Sequence, residues 1–312
     1  MDRYSTAWVA CCPTTDLAVT NAEFVEIATR YLGLPSPACR RLHGQRIGNT
    51  RQTLDDYGFR LCSLSLPGDG WRDQHDVLKW RVHDDLKAAG VLCTTEVYGL
   101  FAPLLPQRAR DELEAEPRRK RQGLVPDLLV PRFDLHDGCR DTLFDFKTLH
   151  YGVSTYPRTE ERSHAVKVRA MAVHREYSRK ARTLDARWFP AAAIDDGLIT
   201  RKLREYGAVR GLVFGAFAET SPEVDNLARL IADSGAARVR SNVVPASVDM
   251  RDRILHHVRR KWGVLTARAN ARLLLSRLAC VGRGAASAAD RRTAQHRQAS
   301  LDGLPLRLWR DL

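Results

Sequence analysis

Three residues suited to metal-assisted hydrolysis lie in two neighbouring apolar segments of the chain. Asp127 lies in Gly-Leu-Val-Pro-Asp-Leu-Leu-Val-Pro, and Asp145 and Lys147 lie in Thr-Leu-Phe-Asp-Phe-Lys-Thr-Leu-His. Both segments have the composition of strands, and Asp137-Gly138 between them is a turn signal, so we expect an antiparallel pair. Because side chains alternate along a strand, Asp145 and Lys147 share one face, and the phenylalanine between them takes the other. Strand pairing then allows Asp127 to join them at one end.

Two carboxylates and an ammonium group at one point suit a divalent cation, Mg²⁺ or Mn²⁺, that activates water against a phosphodiester. Carboxylate oxygens hold such an ion, and the lysine orients the nucleophile or offsets developing charge. A further candidate ligand, Asp76, lies beside His75 near the start of an expected helix that Asp73 would cap. The alternative for Asp76 is an acid favoured there by the helix dipole alone.

The spacing of these residues resembles the active-site signature of the PD-(D/E)xK nuclease superfamily. Pro126-Asp127 is followed, eighteen residues after the aspartate, by Asp145-Phe146-Lys147. The resemblance implies an α/β fold with an αβββαβ restriction-endonuclease-like core and a mixed sheet. It also implies that an acid on the preceding strand completes the metal site, which matches Glu96; the alternative for Glu96 is an exposed strand acid. The helix after the catalytic strand would bring Tyr177 and Lys180 to the site; the alternative is that a basic residue on this long helix is only solvated.

The order of the predicted elements agrees with that core. Hydrophobic periodicity predicts a helix, three strands, a helix and a strand, over residues 77–89, 91–98, 123–131, 142–150, 163–186 and 209–217. We therefore divide the chain into an N-terminal extension (1–72), a nuclease-like core (73–240) and a basic amphipathic helix with a flexible tail (250–312).

The charge of the chain favours an anionic partner. The chain has 312 residues, a formal charge of +13 and a pI near 9.8, so nucleic acid is the expected partner. The resemblance to the nuclease superfamily favours DNA over RNA. Residues 251–312 hold 14 Lys and Arg against 4 Asp, a net charge of +10. We expect arginines of the C-terminal helix (Arg260, Arg268 and Arg272) to follow a duplex, and the run Arg118-Arg119-Lys120-Arg121 to contact phosphates. The alternative for both is a solvated surface.

The N-terminal extension has less definite signals. Cys11-Cys12, Cys39, His43 and Cys62 are of the types that bind Zn²⁺, but no Cys-x2-Cys pair occurs, so buried or free cysteines are favoured over a zinc site. Asp55-x2-Gly58-x3-Cys62, running on to His75-Asp76, resembles segments downstream of reverse transcriptases in eukaryotic mobile elements.

The protein is expected to be intracellular and not to span a membrane. Seven cysteines without a secretory signal favour a reducing compartment, and no apolar run has the length of a membrane span.

Two functional classes remain open at this point. The first is a metal-dependent nuclease. The second is a catalytically silent nucleic-acid-binding module on a nuclease-like fold. A small-molecule hydrolase is disfavoured because no nucleophile elbow, zinc-protease or phosphate-loop motif occurs in the sequence.

Overall fold

The computed structural model has a mixed α/β fold in which helices pack against one four-stranded mixed sheet. It describes residues 3–10, 14–15, 17–68, 70–97, 99–115, 124–134, 140–152, 154–156, 162–189, 197–242 and 250–282. The expected turn at Asp137-Gly138, the basic run 118–121 and the tail beyond residue 282 lie outside these ranges. None of the helices in the described ranges is both long enough and apolar enough to cross a membrane.

The four strands follow one another in the sheet in chain order. They are β1 (Thr94–Thr95), β2 (Leu128–Asp134), β3 (Arg140–Thr148) and β4 (Arg210–Phe214). β2 is antiparallel to both β1 and β3, whereas β4 runs parallel to β3. The expected antiparallel pair is therefore confirmed as β2 and β3.

Helices precede, separate and follow the strands. They are α1 (Ala7–Ala10), α2 (Asn21–Tyr31), α3 (Pro37–Arg40), α4 (Phe59–Ser63), α5 (Gly70–Ala88), α6 (Gln107–Ala115), α7 (Arg162–Trp188), α8 (Leu198–Glu205), α9 (Pro222–Asn242) and α10 (Met250–Arg277). α5 begins before Asp73, so Asp73 lies in its first turn and does not cap it.

Alternation along β3 divides the core between the two faces of the sheet. Phe144 and Phe146 are buried in one apolar cluster with residues of α5, α9 and α10. Leu143 is buried in another with Val173 and Tyr177 of α7. Asp145 and Lys147, two and four positions from Leu143, follow the α7 face, as the period of two predicts.

A glycine in β4 allows α7 to approach the sheet closely. A Cβ atom at Gly211 would lie 2.8 Å from Cα of Ala170 in α7. Because backbone cannot move aside as a flexible side chain can, this position requires glycine. The close contact fixes α7 beside β3 and β4, which is where its polar residues reach the sheet.

The strand expected over residues 91–98 is reduced to β1, and its end has a local cause. Glu96 has a φ of +49°, the left-handed region that a strand does not use. The chain nevertheless stays beside β2, because the amides of Glu96 and Val97 donate to the carbonyls of Asp127 and Pro126 at 3.0 and 3.1 Å.

The C-terminal helix α10 differs most from its prediction. It packs against α1, α2, α4, α5 and α9, and Trp262 is only 1% exposed. The expected docking on the core is confirmed, but the exposed basic face is wrong for Arg268. That side chain is 3% exposed and donates to the carbonyl of Ala18 at 2.9 Å. Arg272 pairs with the buried carboxylate of Glu23 in α2, and Arg260 is half-buried.

The cysteines of the N-terminal extension lie among apolar side chains. Cys39 and Cys62 are buried with Ile47, Leu61 and Leu274. Burial raises the pKa of the Cys39 thiol to about 12. His43 is exposed and contacts Asp56 at 2.8 Å, while Cys11 and Cys12 lie outside the described residues.

Candidate active site

Asp145 lies at the centre of a cluster formed by β3 and α7. Lys147, two residues further along the strand, forms an ion pair with Oδ2 of Asp145. The hydroxyl of Tyr177 donates to Oδ1 of Asp145 at 2.9 Å and to the carbonyl of Val125 at 3.1 Å. Asp145 is 5% exposed, so the strand presents a nearly buried carboxylate held from two sides.

Asp127, directly before β2, lies against the same stretch of β3. Its Oδ2 accepts a hydrogen bond of 2.8 Å from the backbone amide of Phe146. That amide belongs to the peptide joining Phe146 to Asp145, so the Asp127 carboxylate lies against the part of β3 that carries Asp145. The fold therefore brings Asp127 to the part of β3 that carries Asp145 and Lys147, as the sequence predicts.

The first turns of α5 add a histidine and a second acid. Nε2 of His75 lies 3.2 Å from Oδ2 of Asp127, and Nδ1 lies 3.1 Å from Oδ1 of Asp76. Burial of the ring lowers the pKa of His75, but the hydrogen bonds to Asp127 and Asp76 outweigh it and raise the pKa to about 9. His75 is thus an imidazolium at neutral pH, placed between two carboxylates.

Lys79 connects α5 to the end of β1. Its ammonium group lies 2.7 Å from Oε1 of Glu96 and 3.3 Å from Oδ1 of Asp76, and its side chain is 2% exposed. Glu96 is therefore tied to a buried cation, and its backbone amide is bonded to Asp127. The four acids Asp76, Glu96, Asp127 and Asp145 are interleaved with the cations His75, Lys79 and Lys147.

The two central carboxylates have opposite pKa shifts. Burial raises the pKa of Asp127, but the hydrogen bond and charge of His75 outweigh it, so the net pKa is lowered. Burial raises the pKa of Asp145, and the nearby charge of Asp127 adds to it; Lys147 opposes both without cancelling them. The surroundings of Asp127 therefore favour its ionised form, whereas those of Asp145 disfavour it.

The donor chemistry of Asp127 and Asp145 fits Mg²⁺ or Mn²⁺. Within the described ranges, no three Cys, His, Asp or Glu side chains are arranged as ligands of one ion. Mg²⁺ does not require three, because it keeps several waters and binds through one or two carboxylates together with substrate phosphates. Oδ2 of Asp145 is buried, and within the described residues its charged partner is the ammonium group of Lys147. It is thus an acceptor with remaining capacity.

The other predicted site residues divide into those near this cluster and those away from it. Tyr177 contacts Asp145 directly, whereas Lys180 is exposed, with its ammonium group 5.9 Å from the ring centre of Tyr177. Asp76 and Glu96 join the cluster through Lys79. Arg260, Arg268 and Arg272 lie on α10, and Arg118–Arg121 fall outside the described residues.

Lys79 is the site residue that the sequence prediction leaves out. The signal for it is the spacing of His75, Asp76 and Lys79, which puts all three on adjacent positions of one helix face. The sequence does not show that Glu96 is the partner of Lys79, because that contact depends on how β1 ends.

Compared with known proteins, the chain matches no family model, no curated protein and no solved structure.

Proposed function

We propose that this protein is a metal-dependent nuclease with a restriction-endonuclease-like αβββαβ core of the PD-(D/E)xK type. The observation that carries the proposal is the convergence of Asp127, Asp145 and Lys147 around one amide of β3. The order of α5, β1, β2, β3, α7 and β4 supports it, with α8 as an addition before the last strand. The net charge of +13 supports nucleic acid as the substrate, and DNA is preferred to RNA on the resemblance alone.

The residues have distinct roles in this proposal. Asp127 and Asp145 would hold Mg²⁺ or Mn²⁺, which when bound supplies a more acidic water and offsets charge on the phosphate. Lys147 places a positive charge where the attacking water or the scissile phosphate lies. Tyr177 positions Asp145 by hydrogen bonding, and His75 holds Asp127 against β3.

A cleavage assay with matched variants tests these roles. The full-length protein is incubated with supercoiled plasmid and with end-labelled DNA and RNA oligonucleotides, in Mg²⁺, Mn²⁺ or EDTA. Asp145→Asn should retain the fold and lose metal-dependent cleavage, because an amide lacks the negative charge that a hard cation requires. Asp141→Asn is the control, since Asp141 is exposed on the same strand and should leave cleavage unchanged.

Calorimetric metal titration separates binding from chemistry. Lys147→Ala should keep metal affinity while slowing cleavage, and Glu96→Gln should reduce both partially. Equal cleavage by wild type and Asp145→Asn would assign the activity to a contaminant or to another site. Binding of nucleic acid without cleavage in either metal would instead favour the silent binding module. The resemblance to mobile-element segments would then be explained by nucleic-acid recognition alone.

A further inference from the structure

One face of α7 carries three arginines that the cluster around Asp145 does not use. Arg175, Arg179 and Arg182, here called the α7 arginine stripe, are all exposed. Their spacing of four and three residues places them on the same side of the helix. At 1.5 Å per residue the stripe extends over roughly 10 Å, which is longer than one nucleotide step of a DNA strand.

The charges of the stripe are not neutralised by the described part of the protein. Other arginines of α7 do have acidic partners: Arg169 pairs with Glu176, and Arg187 with Glu112. Among the described residues, no acid pairs with any member of the stripe. The remaining acid of α7, Asp185, is buried and accepts hydrogen bonds from the amides of Ile199 and Thr200 at 2.9 Å. Three exposed guanidinium groups therefore share one side of α7 and have no acidic partner among the described residues.

The surface at the stripe has room for an extended ligand. The three arginines, together with Ser178, Thr183 and Ala186, line an open depression of about 550 Å³. The residues between the guanidinium groups are short, so they do not block access. Guanidinium groups donate several hydrogen bonds in one plane and suit phosphate oxygens, which makes a polyanion the ligand of matching charge and shape.

The stripe lies outside the reaction site. Successive residues of a helix are rotated by about 100°, so Tyr177 lies about 200° around α7 from Arg175. Tyr177 is the residue that contacts Asp145, whereas the stripe faces solvent on the other side of the same helix. A phosphate held at the stripe cannot be the one attacked beside Lys147.

We propose that the α7 arginine stripe binds the phosphodiester backbone of nucleic acid outside the reaction site, so that it contributes affinity and not chemistry. The proposal deepens the proposed function and rests on it for the identity of the polyanion. In this proposal the main contact with the nucleic-acid backbone lies on α7 and not on α10, where Arg268 is buried and Arg272 is paired with Glu23.

Salt-dependent binding of a triple variant tests the proposal. Arg175→Gln, Arg179→Gln and Arg182→Gln are combined in the full-length protein. Binding to a 30-base-pair duplex DNA and to a 30-nucleotide single strand, each of mixed sequence, is measured by fluorescence anisotropy in EDTA between about 50 and 200 mM salt. Loss of three phosphate contacts should reduce the slope of log K against log salt by about 2.7 for the duplex and about 2.1 for the single strand.

A second triple variant controls for total charge. Arg40, Arg41 and Arg51 are exposed and have no acidic partner among the described residues, so changing them to Gln removes the same charge elsewhere. This control should leave the slope unchanged, and circular dichroism should show that both triple variants are folded. An equal effect in the two triple variants, an unchanged slope in the stripe variant, or no binding by wild type would overturn the proposal.

Single-turnover cleavage separates this inference from the proposed function. At saturating protein the stripe variant should cleave at the wild-type rate, because Asp127, Asp145 and Lys147 are intact. A slower rate at saturation would place the stripe in the chemistry and contradict the proposal. If the stripe variant shows the binding loss while wild type never cleaves, the stripe inference stands and the nuclease function fails.

Discussion

Nε2 of His75 lies 3.2 Å from Oδ2 of Asp127, and the same oxygen accepts the amide of Phe146 at 2.8 Å. One carboxylate oxygen therefore joins the start of α5, the entry to β2 and the middle of β3. Residues 52 positions apart in the chain are linked in this way. A charged group held by donors from separate elements has little freedom to reorient, which is the arrangement that metal and phosphate sites require.

Tyr177→Phe should destabilise the protein by about 1–3 kcal/mol. The substitution removes the only donor that the described residues offer to Oδ1 of Asp145, and it also leaves the carbonyl of Val125 without that bond. Buried acceptors without a partner cost about this much. Urea denaturation measures the change. Tyr31→Phe is the control, because the Tyr31 hydroxyl has no hydrogen bond within the described ranges, and it should change stability by less than about 0.5 kcal/mol.

Lys79 and Glu96 should be energetically coupled by about 1–2 kcal/mol in a double-mutant cycle of Lys79→Met and Glu96→Gln. The pair is 2.7 Å apart, with the Lys79 side chain 2% exposed and the Glu96 side chain 36% exposed, so the interaction is screened from one side only. The comparison pair, Lys202 and Glu205, has a similar distance of 2.6 Å but is solvent-accessible. Its coupling should not exceed about 0.5 kcal/mol. Equal coupling in the two pairs would show that burial of Lys79 adds nothing.

Local pattern was sufficient to predict β3, which carries Asp145, and β2, which begins directly after Asp127. The alternation in Leu143 to Lys147 is a property of the backbone, so the side of the sheet to which Asp145 and Lys147 belong follows from sequence. The length of β1 does not follow from it. Glu96 takes a positive φ where its side chain meets Lys79 and its amide meets Asp127, and both contacts depend on tertiary structure.

The ion pairs of α10 are a second feature that the sequence pattern does not predict. A helix rich in arginine has the same pattern whether its guanidinium groups meet water or distant acids. Here Arg259 bonds to Asp225 and Lys261 to Asp85, partners 34 and 176 positions away in the chain. No periodicity within residues 250–277 identifies those partners, so the pattern predicts the docked apolar face of α10 but not the pairing of its cations with distant acids.

His150 should make the protein less stable as the pH falls from about 6.5 to 4. Burial, together with the charge of Arg277, lowers the pKa of His150 to about 4. The unfolded chain takes up a proton near pH 6.5 and the folded chain does not, so acid favours unfolding across this window. The contribution is about 3 kcal/mol, since one pKa unit corresponds to about 1.4 kcal/mol.

His150→Gln provides the measurement. It also removes stacking on Trp71, where the ring centres lie 4.9 Å apart, and this loss of stability is independent of pH. The informative quantity is the difference between urea stabilities at pH 7 and pH 4.5, which should be smaller in the variant than in wild type. If that difference is the same in both proteins, His150 does not titrate in this window.

Arg268→Glu should destabilise the protein by roughly 3–5 kcal/mol, a large part of the stability of an ordinary domain. The guanidinium group is buried and donates to the carbonyl of Ala18, so the substitution places a buried anion beside a carbonyl oxygen. Arg253→Glu is the control on the same helix, because Arg253 is exposed and the change there should cost less than about 1 kcal/mol.

Arg268→Met can be measured instead if Arg268→Glu does not fold. It removes the bond to Ala18 without adding a charge, and its cost should be about 1–3 kcal/mol by urea denaturation. Nucleic-acid affinity measured on folded Arg268→Met should equal that of wild type, because a guanidinium group turned into the core contacts no phosphate. A loss of affinity with an unchanged fold would restore α10 as a nucleic-acid surface and would weaken the case for the α7 arginine stripe as the main backbone contact.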